Sequence, residues 1–228
     1  MKKLRFAVIL TVALTGSMFG STTDQLKITS GATTVTVVDN FVGDQDAANG
    51  SIVYTNPYLN GWDVEVTFTF TSSPSHQPGI EASTDASCAV SSCFGSGLDV
   101  QYSDINFYFP ENGRNDYSAI VDGSGSTAQV AWFDKSNTIF GRDTFIGTVG
   151  PFDTTSSGFL IGTAAHSSFY SMTLEQQFFA SGPVTFNVDG KVSMVPEPGT
   201  VVLFGTALAL CAAGLWRHKL TERPSSAK

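Results

Sequence analysis

Trp62-Asp63-Val64-Glu65-Val66-Thr67-Phe68-Thr69-Phe70 alternates without a break. Trp62, Val64, Val66, Phe68 and Phe70 fall on one face of an extended chain, and Asp63, Glu65, Thr67 and Thr69 on the other. That period of two is the mark of a strand with one buried face. The same reading extends over 26–195. Strands are expected at 33–38, 52–55, 98–109, 118–121, 144–149, 159–163 and 169–179, with one short helical turn as the alternative at 174–180. Asp189-Gly190 lies between two alternating runs, 184–188 and 191–195, and predicts a two-residue hairpin. Asp134-Lys135-Ser136-Asn137 predicts a second turn, between 131–133 and 138–140. Segments 72–97 and 151–158 are expected to be long loops, and Asp122-Gly123-Ser124-Gly125-Ser126 a turn. Short strands with frequent turn signals imply an all-β fold, an antiparallel β-sandwich or jelly roll. Its eighteen phenylalanines suit the space between two sheets.

The two ends have a different composition. Lys2, Lys3 and Arg5 precede a short apolar stretch, 6–14, and small residues follow at Thr15, Gly16 and Ser17. This predicts a signal peptide over 1–22, with an uncleaved signal anchor as the alternative. At the other end, 201–216 carries no charge. At ~1.5 Å per residue, 200–216 would form a helix roughly 25 Å long, enough for a thin bilayer core. The basic residues Arg217, His218 and Lys219 follow at once. The expected order is therefore signal peptide, exported sandwich (23–195), linker (196–199), transmembrane helix (200–216) and basic cytoplasmic tail (217–228). In the linker, Pro196 and Pro198 exclude helix and strand alike.

Pro196-Glu197-Pro198, the apolar span and Arg217-His218-Lys219 together resemble the PEP-CTERM sorting signal, over roughly 195–219 of the chain. The resemblance implies recognition of Pro196, Glu197 and Pro198 by an exosortase-type membrane enzyme. It also implies transit through the inner membrane, delivery to the cell surface or medium, and association with exopolysaccharide or biofilm matrix. One departure is the tail 220–228, which runs beyond the usual short basic end.

Residues 22–196 hold five basic side chains against eighteen acidic ones. Such a field disfavours nucleic acid as a partner and suits a solvated surface or divalent cations. Asp39, Asp44 and Asp46 share one short segment and are candidate calcium ligands, because calcium takes six to eight oxygens. No other cofactor is implied. Cys88 and Cys93 are expected to form a small disulfide loop in an oxidising compartment, with a metal site as the alternative. No nucleophile elbow, Walker motif or H-E-x-x-H occurs. His76 and His166 are the histidines between the two ends. Asp63 and Glu65 share a strand face at a spacing that some glycoside hydrolases use for paired acids. With no catalytic motif, the expectation is a non-enzymatic structural or adhesive surface protein. A glycan-binding or glycan-hydrolysing sandwich is the alternative.

Overall fold

The computed structural model describes residues 24–71, 79–107, 111–164 and 169–195. Ten strands follow in order: β1 (Gln25–Ser30), β2 (Thr33–Val38), β3 (Ser51–Leu59), β4 (Trp62–Thr71), β5 (Gly79–Cys88), β6 (Gly97–Phe107), β7 (Glu111–Asp134), β8 (Thr144–Phe152), β9 (Ser156–Ala164) and β10 (Tyr170–Val195). Every pairing is antiparallel. The fold is the expected all-β sandwich.

Two long strands make the sandwich from one continuous sheet. β7 and β10 pair along almost their whole length, and both belong to two layers. In the first layer the order is β2-β1-β6-β10-β7-β8, using the Tyr170–Phe179 part of β10 and the Thr127–Phe133 part of β7. In the second it is β3-β4-β5-β10-β7-β9, using the Val184–Ser193 part of β10 and the Glu111–Ala119 part of β7. The sheet folds between these parts. Ala180 pairs with Gly125 and Val184 with Gly123, so Ser181, Gly182 and Pro183 stand opposite Ser124 alone. A bulge of this kind bends the strand that carries it. Gly123 sits at φ +120°, where a Cβ would lie 2.3 Å from the Pro183 carbonyl oxygen. No other residue fits there.

The alternation of β4 does what the sequence requires. Trp62, Val64, Val66 and Phe68 are fully buried, and Asp63 and Glu65 are exposed. Phe68 reaches across to Tyr102 of β6 at 5.4 Å between ring centroids, and Phe178 meets Phe186 across the fold at 5.3 Å. Between the layers runs a chain of buried amides and hydroxyls. Thr84 and the Tyr102 hydroxyl both bond the Gln176 Oε1, at 2.7 and 3.2 Å. Gln176 Nε2 donates to Gln129 Oε1 at 3.2 Å, and Gln129 Nε2 donates to Asn115 Oδ1 at 2.5 Å. Asn115 Nδ2 ends the chain on the Gly147 carbonyl at 3.1 Å. Buried amides are tolerated when bonded in this way and costly otherwise.

Several local expectations are corrected. Asp189-Gly190 is not a hairpin but the interior of β10, with Gly190 paired to Ala82 on one side and Tyr117 on the other. Residues 122–126 are strand, not turn, because they form the folded part of β7. Segment 79–88, expected in a loop, is β5. The loop expected at 151–158 is mostly strand, with 153–155 joining β8 to β9. Residues 138–140, expected as strand, belong to the connection after β7, with a turn at 139–140. Residues 174–180 are strand throughout. Among the described residues no helix is long and apolar enough to cross a membrane. Residues 1–22 and 196–228, which carry the expected signal peptide, sorting motif, span and basic tail, lie outside the described residues.

Candidate functional site

The outward face of the first layer carries an unusual set of side chains. In β6, Leu98, Val100 and Tyr102 point into the core, so Asp99, Gln101 and Ser103 point out. In β10, Leu174, Gln176 and Phe178 point in, and Thr173, Glu175 and Gln177 point out. Antiparallel register sets Gln101 beside Glu175 and Asp99 beside Gln177. Lys27 of β1 flanks Gln101, and Val130 of β7 flanks Glu175. Trp132 of β7 stands beside Thr173 and, on its other side, beside Phe145 of β8.

An outward sheet face is ordinarily solvated, but this one is partly covered. The connection 135–143 between β7 and β8 folds over it and is fastened at several points. The Phe140 N–H donates to Ser103 Oγ at 2.9 Å. Ser171 Oγ donates to the Thr138 carbonyl at 2.6 Å, and Thr173 Oγ1 to the Gly141 carbonyl at 3.2 Å. Asn137 and Asn106 exchange two bonds at 2.8 Å. The connection thereby delivers Phe140, whose ring lies 4.3 Å from Lys27 Nζ, and Arg142.

Arg142 Nη2 pairs with Glu175 Oε2 at 2.7 Å, and its guanidinium lies 5.8 Å from the Trp132 ring centre. Gln177 Nε2 holds Glu175 Oε1 at 2.5 Å, and Gln101 Nε2 holds Asp99 Oδ2 at 2.5 Å. Trp132 and Phe145 meet at 4.9 Å, tilted by 55°. Burial pushes the Asp99 carboxyl up to about 6, and the Glu175 charge adds to the rise. The Gln101 hydrogen bond and the charges of Arg142 and Lys27 oppose it. Three polar atoms of the array are out of water and without a hydrogen-bond partner among the described residues: Asp99 Oδ1, Gln101 Oε1 and Trp132 Nε1. Gln101 is only 5% exposed and Glu175 only 4%. Two acceptors and a donor are thus left unsatisfied beneath the 135–143 connection, beside the Trp132 and Phe145 rings, and a partner reaches them only where that connection gives way.

A depression of about 660 Å³ lies on the outward face of the other layer between Glu81, Arg114, Asp116, Phe159, Asp189 and Lys191. Several of its charges are paired with one another. Arg114 Nε donates to both Asp116 oxygens, at 2.8 and 2.9 Å, and stacks on Phe159 at 4.3 Å, while Lys191 meets Glu81 at 3.4 Å.

The residues singled out from sequence lie elsewhere. Asp63 and Glu65 are exposed on that second layer, remote from the array. Cys88 and Cys93 are joined as expected, with Cα atoms 5.9 Å apart, and both are fully buried. Asp39, Asp44 and Asp46 spend their carboxylates on the loop itself. Asp39 Oδ2 accepts from the Gly50 N–H at 2.9 Å, and Asp44 Oδ1 from Asp46 and Val53 at 3.0 and 3.1 Å. Asp46 Oδ1 accepts from the Ala48 N–H at 3.0 Å. Among the described residues no three His, Cys, Asp or Glu side chains converge as metal ligands. His76 and His166, the sorting motif Pro196, Glu197 and Pro198, and the basic stop Arg217, His218 and Lys219 lie outside the described residues. Sequence reasoning passed over Asp99, Gln101, Trp132, Arg142, Glu175 and Gln177. The available signal was the long amides at outward positions, Gln101 and Gln177, each two residues from a carboxylate.

No family model matches this chain, and no curated protein matches it. Among solved structures, the enzymatically active domain of bacteriophage CBA120 tailspike protein 4 is 12% identical at a TM-score of 0.36. That match covers 67% of this chain and 22% of the tailspike chain, so this chain spans about a fifth of that protein's length. TmCBM61 in complex with β-1,4-galactotriose is 9% identical at a TM-score of 0.32, covering 59% of this chain and 88% of the other. The CBM22-1 xylan-binding domain from Paenibacillus barcinonensis Xyn10C is 12% identical at 0.30, covering 60% and 87%.

Proposed function

We propose that this chain is an exported glycan-binding sandwich, non-catalytic, displayed at the cell surface or in the extracellular matrix. The observation that carries this reading is the array on the first layer. Gln101 and Asp99 hold unpartnered acceptor oxygens and Trp132 an unpartnered donor, beside the Trp132 and Phe145 rings and beneath the 135–143 connection, which a sugar has to displace in order to bond them. A sugar presents hydroxyls at its rim and C–H groups on its faces. Fixed planar amides and carboxylates suit the first, and aromatic rings the second. Exposed acidic side chains elsewhere on the sandwich disfavour anionic partners, so a neutral polysaccharide fits best.

Delivery rests on the two ends. The signal peptide and the PEP-CTERM-like order of Pro196-Glu197-Pro198, apolar span and Arg217-His218-Lys219 support export and processing by an exosortase-type enzyme. Alanine at 196–198 then holds the protein in the inner membrane. Unchanged release from cells carrying that variant rejects the sorting role.

The direct test is titration of the full-length protein against neutral and anionic polysaccharides, with Trp132→Ala and Gln101→Leu alongside. Binding to a neutral glycan that weakens about tenfold or more in each variant supports the reading. Binding unaffected by both substitutions refutes it. One observation favours a second reading, hydrolysis. Asp99, raised to about 6, stands close to the ion-paired Glu175, and unequal carboxylates are what acid–base chemistry on a glycosidic bond uses. Turnover of the bound glycan, lost in Asp99→Asn, would decide for it.

A further inference from the structure

β9 is an edge strand that no charge, proline or bulge of its own blunts. It pairs with β7 along one side, in unbroken register from Glu111–Ala164 to Ala119–Ser156, and with no strand along the other among the described residues. Its sequence, Ser156-Ser157-Gly158-Phe159-Leu160-Ile161-Gly162-Thr163-Ala164, has no charge and no proline. Phe159, Leu160 and Ile161 are 55%, 42% and 54% exposed. An open strand edge with apolar side chains is a template for another strand, and proteins ordinarily disable it with lysine, proline or a bulge. Two other edges among the described residues are disabled. β3 carries Pro57, has a register shift between Asn56 and Leu59, and has its Val53 carbonyl occupied by the Gln45 N–H at 2.8 Å. β8 carries Pro151 and two register shifts. β2 is open as well, but its exposed side chains are Thr33, Thr34 and Thr36, so it lacks the apolar row of β9.

The sequence of β9 also indicates what should join it. Around Leu160 it reads almost the same in both directions: Gly158 mirrors Gly162, Phe159 mirrors Ile161 and Ser157 mirrors Thr163. We propose that β9 pairs antiparallel with β9 of a second copy of this chain, centred on Leu160, so that the second layers of two molecules join into one sheet.

In that register Phe159 faces the partner's Ile161, an aromatic–β-branched pair of the kind that stabilises antiparallel strands. Leu160 faces its own copy. The charges behind the edge are paired within each copy, Arg114 with Asp116, so the join strands none of them. Asp116 stands beside Phe159 and Arg114 beside Ile161 on β7, so each joined row begins on a carboxylate and ends on a guanidinium. No like charges are aligned. The pairing is independent of what the first layer binds, because that layer faces the other way. Two copies joined here present two ligand arrays, which suits a matrix protein that bridges chains.

Thiol mapping in the full-length protein tests the register. Cys88 and Cys93 are already joined, so Cys211→Ser leaves an introduced cysteine as the free thiol. In that background Leu160→Cys is expected to oxidise to a disulfide-linked dimer. Ser157→Cys, whose mirror position is Thr163, is expected to give at least about tenfold less. Mixing Ser157→Cys with Thr163→Cys restores the crosslink. Adding Ile161→Lys to Leu160→Cys is expected to cut dimer yield about tenfold with the circular dichroism spectrum unchanged. Equal crosslinking by Leu160→Cys and Ser157→Cys, or none by Leu160→Cys, overturns the proposal. So does a dimer that survives Ile161→Lys.

Discussion

The side-chain amide of Gln129 fills the place that any side chain at Gly190 would need. A Cβ at 190 would lie 1.7 Å from Gln129 Oε1 and 2.7 Å from Gln176 Nε2. The glycine is there to admit a hydrogen bond between two amides, not to turn the chain.

Gly190→Ala should therefore break the Gln129–Gln176 bond and leave both amides buried and unpaired. The expected loss is about 2–4 kcal/mol of unfolding free energy, measured by denaturant titration. Gly182→Ala, where the nearest atom beyond the chain neighbours is Ser124 Cβ at 3.2 Å, should cost less.

Stability should fall as pH rises from about 4. Asp24 is pushed up to about 9, first by burial, then by its hydrogen bond with Asp104 and by the charges of Asp104 and Asp39. Asp99 is raised to about 6. In both cases the folded state keeps a proton that the unfolded chain releases near 3.8. The unfolded state binds fewer protons, so unfolding becomes easier with pH until each folded value is passed. Asp99→Asn should flatten the curve between about 4 and about 6. Asp24→Asn should flatten it from about 4 to about 9. Thermal unfolding across that range checks both.

Arg142→Met should strand Glu175, which is 4% exposed and loses its cation. Arg142 itself is partly solvated, which lowers the expected cost to about 1–3 kcal/mol. It should also loosen the 135–143 connection, read as faster amide exchange at Phe140. Retained protection there would show that the backbone bonds to Ser103 and Thr173 suffice.

Replacing Cys88 and Cys93 together by serine should cost about 2 kcal/mol from the small closed loop, more if the buried hydroxyls find no partner. The shift in melting temperature of the pair variant, with and without reductant on the parent, measures it.

The second layer was legible where its side chains were large. Trp62 to Phe68 could be assigned to a core face by inspection. β5 was not legible, because its inward positions Ala82, Thr84 and Ala86 are small and look like loop composition. They are small for a reason: Thr84 must leave room for Tyr102 and Gln176. Asp189-Gly190 misled because a local turn preference was overridden by pairing on both sides of β10. The candidate site was hidden by the ordinary rule that outward polar residues are solvated. Gln101 and Glu175 are buried only because a connection distant in sequence, 135–143, folds over them.

β10 ends at Val195, flanked by β5 on one side and β7 on the other. Tension applied at Val195 along the axis of β10 must slide two ladders at once instead of peeling one hydrogen bond at a time. An anchor through that end, the delivery proposed above, would load a strand suited to resist tearing.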